Sequence, residues 1–150
     1  MVTVTVPVEA AKVTLAYAIA FLFNIGVQVV GRVRAVKAFK KLKDAGATKE
    51  KFNRYTSDIM LASDRSVGNF VEWQGIFLSL FWANALVTGK EVELGYLYVG
   101  IRFLYPILAQ LGGISQGGAR PLILVATLPG YYVLGRYMYL LYQEAYVANA

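Results

Sequence analysis

The chain has 150 residues, 57% of them hydrophobic, with a mean hydropathy of +0.50, well above the usage of an ordinary globular domain. It carries a net charge of +6 and neither cysteine nor histidine, which excludes disulfides, thiolate nucleophiles of its own, zinc sites and histidine acid–base chemistry. Ten of the fifteen Lys and Arg lie between Arg32 and Arg65, flanked by apolar runs; the positive-inside rule accounts for that placement, and no nucleic-acid motif accompanies it.

Met1–Pro7 alternates Val and Thr, and Met1–Ala11 lacks the basic start of a cleavable signal peptide. Residues 13–31 are nearly uncharged and long enough to cross hydrocarbon as a helix. Asn24 and Gln28, four apart on that helix, read as interhelical hydrogen-bonding groups, with a place in a cavity wall as the alternative. The helix is expected to continue through Arg32, Arg34, Lys37, Lys40, Lys41 and Lys43, solvated or against anionic head groups, until Asp44-Ala45-Gly46 breaks it. Thr48–Asp64 reads as a polar loop with a helical turn over Lys49–Arg54, and 69–88 as the second span. Gly89-Lys90-Glu91 is a short turn before a third span over 92–111. Gly112–Gly118 reads as a flexible connector, and Pro121 suits the first turn of a fourth span, 121–142, kinked at Pro129-Gly130. Tyr137, Tyr139, Tyr142 and Tyr146 suggest an interfacial aromatic belt, and the tail after Gln143 an exposed end. The expectation is an all-α integral membrane protein of one domain, a bundle of four transmembrane helices. Its basic loop, 32–65, and the connector would face the cytoplasm, with both termini and the Gly89 turn opposite.

Two polar faces interrupt the apolar spans. Asn69 and Glu72 fall about 40° and 20° either side of Arg65 on a helical wheel, so a cation, an amide and a carboxylate share one face. Tyr98, Arg102 and Tyr105 repeat that spacing on the third span. A guanidinium at such depth is costly without an anionic partner, and Glu72 is the leading partner within the chain, which makes a structural Glu72–Arg102 pair one reading. The functional reading has Arg65, Arg102, Arg120 and the arginines at 32 and 34 converge on ligand carboxylates, Glu72 meet an ammonium and Asn69 orient the ligand. Spacing and composition lead to a polyanionic or zwitterionic small ligand; glutathione is one such molecule.

Arg65-x-x-x-Asn69-x-x-Glu72 followed by an apolar helix resembles the signature of the membrane-associated proteins in eicosanoid and glutathione metabolism. Tyr98-Val-Gly-Ile-Arg102-Phe-Leu-Tyr105-Pro106 is similar to that family's third-helix pattern, and Ala119-Arg120-Pro121-Leu122 to the start of its fourth helix. The resemblance implies a homotrimer with glutathione bound between subunits by Arg65, Asn69, Glu72, Tyr98, Arg102 and Tyr105. Arg34 is the first-helix cation it implies, with Arg32 and Lys37 as alternatives. Arg120 would be the catalytic residue, its guanidinium lowering the pKa of the glutathione thiol so that the thiolate attacks lipophilic electrophiles or lipid hydroperoxides in the bilayer. The implied activity is that of a membrane-bound transferase or peroxidase with its active face cytoplasmic, in the endoplasmic reticulum membrane if the source is eukaryotic; a non-catalytic lipid-binding or scaffold relative is the alternative. The chain departs from the family pattern at Val67-Gly68, at Gly75, at Ala109, and in a longer connector between Tyr105 and Arg120.

Overall fold

The computed structural model describes residues 7–148. The Val/Thr start and the chain's final Asn149-Ala150 therefore lie outside the described residues. Four α-helices carry the architecture: α1 (Val8–Asp44), α2 (Asp58–Val87), α3 (Leu94–Leu108) and α4 (Leu124–Tyr142). Three helices are long and apolar enough to cross a membrane, over Val8–Asp44, Asp58–Val87 and Leu94–Gly113. α4 is not among them; tyrosines and Arg136 dilute its apolar character.

α1 is one unbroken helix of 37 residues, about 55 Å long, nearly twice the thickness of hydrocarbon. Glu9 in its first turn and Lys41 and Lys43 in its last complement the helix dipole. Its continuation through the basic stretch and its end before Gly46, at φ +69°, match the sequence reading. Ala10, Val13, Tyr17, Ala20, Asn24, Gly31 and Ala35 form its buried stripe, in steps of three, four or seven residues. Gly31 sits where a Cβ would come within 1.8 Å of Ser63 Oγ, so α1 and α2 approach closely there.

α2 starts earlier than expected. Ser57 caps it by accepting a 3.5 Å hydrogen bond from the Met60 amide, and the segment 58–64 is helix rather than loop. The short turn in the preceding loop falls at Arg54–Thr56, capped by Asn53, later than the expected Lys49–Arg54. Asp64 draws the basic end together: its carboxylate accepts from Gln28 at 3.0 Å, Arg32 at 3.2 Å and Arg54 at 2.5 Å.

The main core is aromatic. Tyr17, Phe70, Phe77, Phe81, Tyr98 and Tyr137 are buried together, with Phe77 and Tyr98 stacked at 3.9 Å between centroids. Tyr137 is fully buried, so it belongs to this core; Tyr139, Tyr142 and Tyr146 are exposed, as a belt requires. Gly95 makes room for the core, since a Cβ there would meet Val13 and Phe81 side chains below 3.0 Å. The outer faces carry exposed Leu15, Ile19, Leu22, Leu97, Leu104, Val125 and Leu128. Such faces suit lipid, where association rests on tight packing rather than on a hydrophobic drive between helices.

The connectors are more structured than their glycines suggest. After Leu108 the chain widens into a π turn over Ala109–Gly113, and Ile114–Ser115 then pairs antiparallel with Gly118–Ala119. The expected flexible connector is thus a small hairpin, turned at Gln116-Gly117, with Gly118 at φ +98°. Gln116 ties it to α2: its amide donates to Asp58 Oδ1 at 2.8 Å and its side chain to the Thr56 carbonyl. At the other end Glu91 holds φ +53°, uncommon for a residue with a Cβ, while Arg136 grips its carboxylate through Nε at 2.8 Å and through Nη2. This pairing holds the Glu91 carboxyl below its ordinary pKa. α4 runs through Pro129 as one helix, and the tail after Gln143 is a π turn with Tyr146 and Val147 exposed.

Candidate functional site

The i, i+4, i+7 spacing on α3 turns Tyr98, Arg102 and Tyr105 inward, and all three are buried. Arg102 is only 6% exposed. Its Nη1 donates to Asn69 Oδ1 of α2 at 2.7 Å and its Nη2 to the Tyr98 hydroxyl, with the guanidinium 4.5 Å from the Tyr98 ring centroid. Asn24 of α1 donates to the Arg102 carbonyl at 3.0 Å, the interhelical role expected of that residue. Gln28 bonds Asp64 instead of facing a cavity.

No carboxylate among the described residues reaches Arg102. Glu72 pairs with Arg65 at 3.3 Å along α2, both side chains more than half exposed, so the structural Glu72–Arg102 pair is not formed within the chain. Arg102 Nε and the nearby Tyr17 hydroxyl are buried with no hydrogen-bond partner among the described residues. A buried guanidinium with amide, phenol and ring for neighbours, and no anion, is an incomplete electrostatic arrangement.

Beside Arg102 lies a recess of about 10 Å³, room for one water, lined by Asn69, Trp73, Tyr105, Thr127, Gly130 and Tyr131. Tyr105, Thr127 and Tyr131 are also walls of a cavity of about 580 Å³ that runs past Arg65 to Ile123 and Leu124 under the hairpin. The two spaces therefore share a wall, and together they bring Arg65, Asn69, Arg102 and Tyr105 around one polar-to-apolar gradient. That volume is within the range of small-molecule sites. Glu72 reaches this set through its bond to Arg65.

Two predicted residues stand elsewhere. Arg34 lines a separate cavity of about 380 Å³ with Phe23, Gly26, Val30 and Gln110. Arg120 is exposed and opens on another, about 200 Å³, with Asp58, Ala62, Gln110 and Ser115. Neither lines the recess beside Arg102 or the larger cavity that shares its wall.

The sequence reading missed Trp73, Thr127 and Tyr131. Trp73 and Tyr131 pack with centroids 5.1 Å apart and close the recess between α2 and α4. Gly130 stands beside the site, with Tyr98 Cε2 3.8 Å from where its Cβ would be, an ordinary contact distance, so nothing in the sequence singled these three residues out. Compared with models of known families, with curated proteins and with solved structures, the chain matches none of them.

Proposed function

We propose that the protein is a membrane-bound glutathione-dependent transferase or peroxidase acting on lipophilic electrophiles or lipid hydroperoxides. The single observation that carries the reading is Arg102, a buried cation without an anion, beside a recess that also receives Asn69 and Tyr105 and that shares a wall with the cavity lined by Arg65. A ligand carboxylate would supply the missing charge at Arg102 and find a second guanidinium at Arg65. Glu72 would exchange part of its bond to Arg65 for the ligand ammonium. The apolar side, at Ile123 and Leu124, would take a bilayer-soluble co-substrate. Bound glutathione would supply a thiolate that forms a bond to an electrophilic carbon as its leaving group departs. Alternatively the thiolate attacks a hydroperoxide oxygen and breaks the O–O bond, releasing the alcohol, with a second glutathione turning the sulfenic acid into disulfide and water.

The residues fit the binding part of this reading better than the chemical part. Arg120, the proposed catalytic residue, and Arg34 line other cavities of the protomer, so they would meet the ligand only across a boundary between copies, as in a homotrimer. That separation favours a second reading, a non-catalytic lipid-binding or scaffold protein of the same architecture. In either case we place four spans in the membrane, α4 included, with the basic end cytoplasmic; in a eukaryote the membrane would be that of the endoplasmic reticulum.

Calorimetry of glutathione binding to the detergent-purified protein, followed by ultraviolet absorbance for bound thiolate at neutral pH, tests the proposal. Binding with a thiolate signal that disappears in Arg120→Ala, while binding survives, is the expected result. Binding without thiolate in the native chain selects the scaffold reading, and absence of binding removes glutathione altogether.

A further inference from the structure

We infer that α1 carries a binding site for one anionic glycerophospholipid, with an acyl chain in the groove around Gly26 and the phosphate at Arg34. Phe23, Gly26, Val27, Val30, Arg34, Lys37 and Lys41 fall within an arc of about 100° on the α1 wheel. Ala35, Phe39 and Arg32 lie on the opposite side, which is the packed one: Ala35 is buried, Phe39 meets Phe52 at 5.3 Å and Arg32 bonds Asp64. One free face therefore passes without interruption from an apolar groove to a row of cations.

The groove has about 380 Å³ and is apolar apart from Arg34 and Gln110. Gly26 shapes it, since nothing lies within 4 Å of where its Cβ would be. From Gly26 to Arg34 the helix rises about 12 Å, and from Arg34 to Lys41 about 10 Å more. Those are the proportions of an acyl chain below a head group. Lys37 and Lys41 are exposed and make no ion pair among the described residues. A basic cluster directly beyond an apolar span attracts anionic head groups. A zwitterionic head group would bring its own ammonium against the same three cations.

Charge also argues against a symmetric contact between two copies, in which Arg34, Lys37 and Lys41 would face their equivalents. The cavity at the other end of the molecule gives the contrast: Glu9 and Glu93 line it and no cation does. Selection for anionic lipid is thus built into one end only. The inference does not draw on the glutathione reading; the two share Arg34, so the variants are placed at Gly26, Lys37 and Lys41, of which Gly26 and Lys41 lie outside the residues assigned to glutathione.

The test is native mass spectrometry of the full chain released from detergent with phosphatidylglycerol or phosphatidylcholine of equal chain length. One phosphatidylglycerol should be retained per chain, about tenfold or more tighter than phosphatidylcholine. Gly26→Leu, which fills the groove, should lower that affinity about tenfold. Lys37→Gln with Lys41→Gln, both exposed side chains, should bring the ratio of the two lipids close to one. Equal retention of both lipids by the native chain overturns the inference, as does a ratio untouched by the double lysine change. A Gly26→Leu chain that alters subunit stoichiometry but keeps its lipid preference also overturns it, and assigns the face to a contact between copies.

Discussion

Arg102 is the residue on which the structural and functional accounts part. A buried ion kept for stability should be missed when it is lost; one kept for a ligand should not. Replacing a buried charge by an apolar side chain of similar volume is often neutral or stabilising. Arg102→Met with Tyr98→Phe, which removes the charge together with the hydroxyl it bonds, is therefore expected to hold the melting temperature of the ligand-free protein while removing glutathione binding. Asn69→Leu should do the reverse to stability, lowering it by about 1–3 kcal/mol, because it strips the 2.7 Å bond from a guanidinium that stays buried. Gly31 offers a purely steric counterpart. Its Cβ site is filled by Ser63 Oγ, so Gly31→Ala should cost about 1–3 kcal/mol in chemical denaturation, and Ser63→Gly in the same chain should recover part of it.

At the scale of elements, the polar faces were legible and the partners across them were not. The i, i+4, i+7 spacing put Tyr98, Arg102 and Tyr105 on one face, and they are buried together as expected. Wheel geometry could not say that Glu72 would turn to Arg65 seven residues back along its own helix, leaving Arg102 to Asn69 and Tyr98. Glycine content misled at 112–118, where positive-φ glycines build a hairpin instead of a loose tether, and the bond from Gln116 to Asp58 that fixes it spans distant sequence. Tyr137 was drawn into the belt by its tyrosine neighbours, although its side of α4 faces the aromatic core.

The Glu91–Arg136 grip at the α2–α3 turn gives an acid-sensitive element. The folded carboxyl titrates below its unfolded value, so the pair's contribution is complete above about pH 4.3 and is lost as pH falls through the lower folded value. The melting temperature of the native chain should exceed that of Arg136→Gln at pH 6, and the gap should close as the pH falls below the ordinary carboxylate range. A gap that persists in acid would mean that Arg136 acts through packing on Tyr139 instead, where its guanidinium lies 5.4 Å from the ring centroid.

For the whole molecule, the asymmetry of charge was the most legible property. Nine of fifteen cations lie between Arg32 and Arg54, against Asp44 and Glu50 alone, and the structure collects them at one end of the bundle. Because the chain has no cysteine, single introduced cysteines report sidedness cleanly. Ala45→Cys should be labelled from the cytoplasmic side of intact cells or vesicles and Lys90→Cys from the other. Neutralising Lys37, Lys40, Lys41 and Lys43 should produce a mixed population. Subunit number, by contrast, had no signature of its own in the sequence, since lipid-facing and copy-facing apolar surfaces have the same composition.

The packing of Trp73 against Tyr131 has an optical consequence. The chain has two tryptophans, and they occupy different surroundings: Trp73 borders the recess beside Arg102, while Trp82 meets Phe81 at 6.0 Å in the aromatic core. A ligand group that enters that recess and excludes solvent from it would shift Trp73 emission to shorter wavelength and leave Trp82 emission unchanged. Occupancy could then be followed without any attached dye, and a Trp73→Phe chain would be blind to it while still binding.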